Sequence, residues 1–160
     1  MRVVIAPDCF GGTLTALEAA TALRDGWRRA APHDELDLCP LADGGPGFLD
    51  AVRASLGGEL LAATVRSPLH DDVPAAVLLV GGPDGVRTAY LESAQATGLS
   101  LVPPDRRDPT VTTTYGVGQL LAVALEAGAT RIVVGLGGSA TNDAGDSTTG
   151  IGADTAQACS

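Results

Sequence analysis

Arg2-Val3-Val4-Ile5-Ala6-Pro7-Asp8-Cys9-Phe10-Gly11-Gly12-Thr13-Leu14-Thr15-Ala16-Leu17-Glu18, running on through Ala30 to Glu35-Leu36-Asp37-Leu38, is the stretch that decides the fold. The β-branched run Val3, Val4 and Ile5 predicts a short buried strand. Gly11-Gly12 turns the chain. Thr15 and Glu18 then form the Thr-x-x-Glu pattern of a capping box at a helix start. The helix is expected to run to about Ala30, with Leu17, Ala20, Leu23 or Arg24, and Trp27 along one side, and Pro32 stops it. Glu35–Leu38 reads as a second strand. Strand, helix, strand in this order predicts a parallel βαβ unit and an α/β fold.

Beyond it, Leu41-Ala42-Asp43-Gly44-Gly45-Pro46-Gly47 is a loop that leads into a helix carrying Phe48, Leu49, Val52 and Leu56, with Gly57-Gly58 as its left-handed cap. Three strand-like runs follow at Glu59–Arg66, Ala75–Val80 and Arg87–Leu91, separated by turns at 67–72 and 81–85. Short strands with turns and no helix between them predict a small antiparallel lobe, with a boundary near Gly58. After the Pro103-Pro104 to Pro109 loop comes a helix from about Tyr115 to Ala127, with Leu121, Ala124 and Leu125 inward. A buried strand at Arg131–Leu136 precedes a glycine-rich loop from Gly137 to Asp143. The remainder, 145–160, nearly lacks large apolar residues and is expected to be weakly ordered.

Composition narrows the class. The 160 residues are 45% hydrophobic but only 3% aromatic, so the core must be aliphatic. No run reaches the ~18 apolar residues of a membrane span, and the N-terminus reads as a strand rather than a signal peptide. Cys9, Cys39 and Cys159 match neither a disulfide framework nor a zinc pattern, which points to the reducing cytoplasm. The net charge of −9 disfavours nucleic acid as a partner. All ten basic residues are Arg, so any cation in a phosphate site must be Arg or a metal ion.

Ligands of open parallel sheets bind at the carboxyl ends of the strands. Three polar glycine-rich loops fall there: Asp8 to Thr13, Asp43-Gly44-Gly45, and Gly137 to Asp143. Glycines let backbone N–H groups approach an anion, and aspartates can hold Mg²⁺ or accept a hydroxyl proton. Taken singly, each has a plainer explanation: Asp8, Asp43, Asn142 and Asp143 as turn residues, Thr112–Thr114 as helix caps, Glu92 as a solvated strand end. Neither Gly-x-x-x-x-Gly-Lys-Ser/Thr nor Gly-x-Gly-x-x-Gly after a strand is present. His33 and His70 lie apart in loops, and Cys9 has no basic neighbour to activate it.

Five blocks in order resemble the two-domain glycerate kinases of bacteria: Ile5-Ala6-Pro7-Asp8-x-Phe10-x-Gly12-x-Leu14, Ala42-Asp43-Gly44-Gly45-x-Gly47, Val102-Pro103-Pro104, Thr112-Thr113-Thr114-Tyr115-Gly116-x-Gly118, and Gly137-Gly138-Ser139-Ala140-Thr141-Asn142-Asp143. The resemblance covers residues 1 to about 145. It implies phosphorylation of D-glycerate by ATP with Mg²⁺, in a cytoplasmic protein with no membrane partner. It implies a Rossmann-like parallel sheet carrying a small β-rich lobe, incomplete relative to the family. The division expected is 1–58 for the first part of the Rossmann-like domain, 59–110 for the lobe, 111–145 for a helix–strand segment with its glycine loop, and 146–160 for the tail. Asp8, Asp43 and Asp143 become the catalytic candidates. Gly12, Gly44, Gly45, Thr113, Gly137, Gly138, Ser139 and Asn142 become the substrate- or nucleotide-binding candidates. Against the family pattern, Gly11 stands where a Lys is usual, and Pro46 and Phe48 stand where Glu and Thr are usual. Family members are also more than twice as long. An impaired or truncated kinase is therefore expected, needing a complementing C-terminal half or a second copy. The alternative is a non-catalytic remnant that binds a small carboxylate or a nucleotide.

Overall fold

β1 (Arg2–Ile5) and β2 (Glu35–Leu38) pair in parallel, with Val3 opposite Leu36 and Ile5 opposite Leu38, and α1 (Ala16–Ala30) crosses between them. The structure is a computed structural model that describes residues 1–146. Apart from Gly145 and Asp146, the expected weakly ordered tail lies outside the described residues, as does Cys159. The capping box at the start of α1 is present in both directions: Glu18 N donates to Thr15 Oγ1 at 3.2 Å, and Thr15 N donates to the Glu18 carboxylate at 2.8 Å.

α2 (Phe48–Leu56) leads into a second sheet. β3 (Glu59–Arg66), β4 (Asp72–Gly81) and β5 (Arg87–Glu92) are antiparallel neighbours. β6 (Arg131–Gly135) adds to β5 in parallel, giving the order β3-β4-β5-β6. The small lobe expected to be antiparallel thus gains a parallel fourth strand. The long connection from β5 to β6 contains the short helix α3 (Ala94–Thr97) and α4 (Tyr115–Glu126), and such a crossover is what a parallel pair requires. The fold is α/β, with one parallel and one mixed sheet.

The main core lies between α4 and the second sheet. Leu120 and Ala124 are fully buried against Val65, Val77 and Leu91. Burying a side chain such as Leu120 is worth roughly 1.5–3 kcal/mol. Leu125, expected to face inward, is exposed, because Val117, Leu120 and Ala124 define the buried stripe.

α1 departs from its expected packing. Ala16, Ala19 and Ala20 are its buried residues, whereas Leu17, Leu23 and Trp27 are 49%, 55% and 40% exposed. The helix is seated by its small residues, and its bulky face is left uncovered. Along the free edge of β1, residues Val3 to Pro7 form a groove of about 340 Å³ with Leu23 and Trp27, and Val4 lies 61% exposed beside it. β1 has β2 as its one strand neighbour among the described residues.

Candidate functional site

The first loop leaves β1 at Asp8, an exposed residue whose Oδ1 accepts from Cys9 N at 2.6 Å. Phe10 and Leu14 then bridge, and Gly11 and Gly12 take φ of 47° and 81° at the tip. A Lys at position 11 would be strained in this left-handed turn. A cavity of about 280 Å³ opens beneath the tip, lined by Cys9, Gly12, Thr15, Pro46 and Gly47 among others.

The second loop follows β2. Asp43 is exposed and folds its Oδ1 onto Gly45 N at 2.8 Å, an Asx turn. Gly44 and Gly45 are buried. The loop ends at Gly47, whose φ of 94° starts α2 with no side chain of its own to cap it. The cap comes from the other sheet. Glu92, at the carboxyl end of β5, accepts from Gly47 N at 3.0 Å and Leu49 N at 3.2 Å. It is 8% exposed, not solvated as its strand-end position had suggested. Burial raises its carboxyl above the usual range, against the opposing backbone N–H groups of Leu49 and Gly47, and the nearby Asp50 charge adds to the rise.

The third loop follows β6 and lies on the second. A Cβ on Gly137 would stand 2.7 Å from both the Cα and N of Gly45, and a Cβ on Gly44 would stand 3.0 Å from Leu136 N. Only glycine allows two backbones this close. A Cβ on Gly138 would meet Pro46 at 3.2 Å, and Cys9 donates its thiol to Pro46 O at 3.3 Å. All three loops therefore converge around Pro46. Gly11, Pro46 and Phe48 lie at the turn, at this junction and at the first position of α2.

The third loop is also tied to the segment before α4. Thr114 donates both its N–H and its hydroxyl to Asp143 Oδ2 at 2.9 Å, and Thr112 donates to Ala140 O at 2.9 Å. Thr113, the candidate from this triplet, is buried, and its hydroxyl accepts from Tyr115 N at 3.1 Å. Its two neighbours make the contacts to the loop instead. Ser139 shares a 2.9 Å hydrogen bond with Thr141, and Asn142 is exposed. Asp8 and Asp43 thus stand at exposed rims, while Asp143 clasps the loop to the start of α4. Sequence reasoning missed the roles of Glu92, Thr112 and Thr114. The available signal was position: Glu92 ends a central strand on the side where ligands of such sheets bind.

No group of three His, Cys, Asp or Glu placed to hold a metal occurs among the described residues. No helix among the described residues is long and apolar enough to cross a membrane.

The profile of the glycerate kinase family matches residues 3–156. The chain belongs to the glycerate kinase family. Among family relatives, a protein named glycerate kinase from Haemophilus influenzae is 46% identical over 145 residues, which is 91% of this chain and 38% of that protein. A protein named glycerate 2-kinase from Escherichia coli K12 is 46% identical over 91% of this chain and 37% of its own length. The crystal structure of a protein named as glycerate kinase 2 from Salmonella typhimurium LT2 superposes with a TM-score of 0.76 at 42% identity, covering 94% of this chain and 40% of that one. The chain thus spans about two fifths of the length of the relatives it matches.

Proposed function

We propose that this chain supplies one part of the active site of a glycerate kinase, which transfers a phosphoryl group from ATP to a hydroxyl of D-glycerate. The observation that carries the proposal is the convergence of three glycine-rich loops, with Asp8 and Asp43 exposed at their rims, at the carboxyl ends of β1, β2 and β6. Mg²⁺, when bound, would neutralise phosphate charge during transfer. Asp8 and Asp43 are suited to share that ion or to accept the glycerate hydroxyl proton, since each retains a second carboxylate oxygen beyond its local turn bond. Asp143 serves by positioning, holding the third loop to α4 through Thr114. Gly12, Gly44, Gly45, Gly137, Gly138 and Ser139 provide the close backbone approach that an anionic ligand requires.

The uncovered bulky face of α1 and the free edge of β1 favour a complementing C-terminal half, or a second copy, seated there. The binding-remnant reading draws on one observation: the tip of the first loop, Gly11-Gly12, carries no cation. An assay of ADP release tests both readings. D-glycerate-dependent turnover, by the chain alone or once mixed with the C-terminal half of a relative, supports the kinase. Calorimetric binding of glycerate or ATP with no turnover in either mixture would replace it with the binding module.

A further inference from the structure

The acid substrate and the nucleotide are both anions, and the chain has no Lys, so an Arg is needed wherever the protein itself supplies positive charge. Most of the arginines are committed elsewhere. Arg2, Arg24 and Arg66 are paired with Asp37, Asp25 and Asp72. Arg87 donates to Ala127 O at 2.7 Å. Arg28 and Arg29 occupy the last turn of α1, and Arg131 starts β6 at the end remote from the loops. Arg53 lines a cavity between α1 and α2, and Arg106 ends the 3-10 turn Pro104–Arg106 without lining the cavity that Arg107 enters. Arg107 is different. It lines a cavity of about 290 Å³ together with Thr112, Ser139 and Thr141, directly against the third glycine loop. Its Nε donates to the carbonyl of the buried Val102 at 3.3 Å, and among the described residues no carboxylate pairs with it. The N–H groups of Gly137, Gly138 and Ser139 make no hydrogen bond among the described residues. Thr112 ties the arginine's segment to the loop through Ala140 O.

We infer that Arg107 and the third loop at Ser139, which line one cavity, form an oxyanion-binding site, which takes either the carboxylate of the small hydroxy acid or a phosphate of the nucleotide. A guanidinium fork anchored at Nε presents its terminal nitrogens to two oxygens at once, and the N–H of Ser139, a residue of the same cavity lining, is a further donor. Asp108 shares the cavity, with its Oδ1 engaged by the Thr110 hydroxyl at 2.6 Å and N–H at 2.9 Å, so its charge opposes an anion there. The inference rests on the kinase reading only for the identity of the ligands, and not for the oxyanion chemistry.

The test uses the full 160-residue chain, ¹⁵N-labelled, titrated separately with inorganic phosphate, D-glycerate and ATP. The amide signals of Gly137, Gly138 and Ser139 should shift on titration. Arg107→Met should weaken that response roughly 10-fold or more, the usual loss for a charge-assisted pair, while Arg106→Met leaves it unchanged. Asp108→Asn should tighten it severalfold, which keeps the inference open to test if Arg107→Met does not fold. A loss confined to D-glycerate identifies the carboxylate as the natural occupant, and a loss confined to ATP identifies the phosphate. Response to phosphate alone, still dependent on Arg107, upholds the site and counts against the kinase reading. Absence of any shift at these amides, or shifts that Arg107→Met and Asp108→Asn leave at wild-type strength, would overturn the inference.

Discussion

Replacing Glu92 separates two opposing effects that the structure sets on one carboxylate. Its hydrogen bonds to Gly47 N and Leu49 N cap α2 from the neighbouring sheet, while its burial at 8% exposure opposes its charge. In Glu92→Ala both N–H groups lose their acceptor at a buried helix start. One unsatisfied donor costs roughly 1–3 kcal/mol and a lost cap ~0.5–2 kcal/mol, so a total of about 2–4 kcal/mol is expected. For a chain of this size that is a fall in Tm of roughly 5–15 °C. Glu92→Gln keeps an acceptor oxygen and removes the charge. The folded carboxyl is raised above its ordinary value of 4.5, so between those two values the folded chain retains a proton that the unfolded chain has released. Stability contributed by Glu92 is therefore complete below the ordinary value and is lost as pH rises through the folded one. Each unit of the rise corresponds to about 1.4 kcal/mol. Urea unfolding of the wild type and both variants from pH 4 to pH 7 measures this. Glu92→Gln should gain on the wild type as pH rises, and Glu92→Ala should remain destabilised throughout. The reasoning fails if Glu92→Gln is as unstable as Glu92→Ala at pH 7, because the carboxylate's hydrogen bonds would then outweigh its burial.

Gly137→Ala places a methyl 2.7 Å from the backbone of Gly45, so the second and third loops must separate; calorimetry should show ligand affinity falling at least 10-fold, by analogy with the sensitivity of such sites to displacements of about 1 Å. Thr114→Val removes one of the two 2.9 Å bonds to Asp143, and unfolding experiments should show a loss of about 1 kcal/mol, with faster hydrogen exchange from Ala140 to Asp143. Trp27 is the only tryptophan and is 40% exposed in the groove along β1. Adding the C-terminal half of a relative should therefore shift its emission to the blue and protect it from iodide, whereas unchanged emission on a confirmed complex would place the complementing segment elsewhere.

Much of the fold was legible because its signals are local. The β-branched run Val3–Ile5, the Thr15–Glu18 capping pair and the glycines at 57 and 58 act over a few residues, and the elements they predict are present. What could not be read locally was partnership. Nothing in Arg131–Gly135 says that it will pair with Arg87–Glu92, because a parallel ladder between distant strands depends on where the crossover lands. The inward face of α1 was misread for a related reason. Helical periodicity locates an apolar stripe, but α1 is seated through Ala16, Ala19 and Ala20, which leaves Leu17, Leu23 and Trp27 exposed. At the site, the three glycine-rich loops were identified correctly as neighbours of the strand ends. The burial of Glu92 and the separate tasks of Thr112, Thr113 and Thr114 required coordinates, since three adjacent threonines differ only in which way each one points.

The contacts that shape the site and the surface that lacks a cover are different parts of the molecule. Gly44 and Gly45 lie on Leu136 and Gly137, Cys9 bonds to Pro46, Glu92 caps α2, and Asp143 holds Thr114. Every one of these contacts is made within residues 8–143. The free edge of β1 and the exposed side of α1 carry none of them. Covering that edge is therefore expected to change self-association and solubility far more than the geometry of the loops. Under the proposed kinase reading, turnover is expected to respond to the C-terminal half of a relative instead. On the same reading, anion binding is expected to use the loop arrangement already formed. Complementation should accordingly raise kcat while leaving the affinity for inorganic phosphate at Arg107 and Ser139 nearly unchanged; a large gain in that affinity would mean that the loops are set by the added half after all.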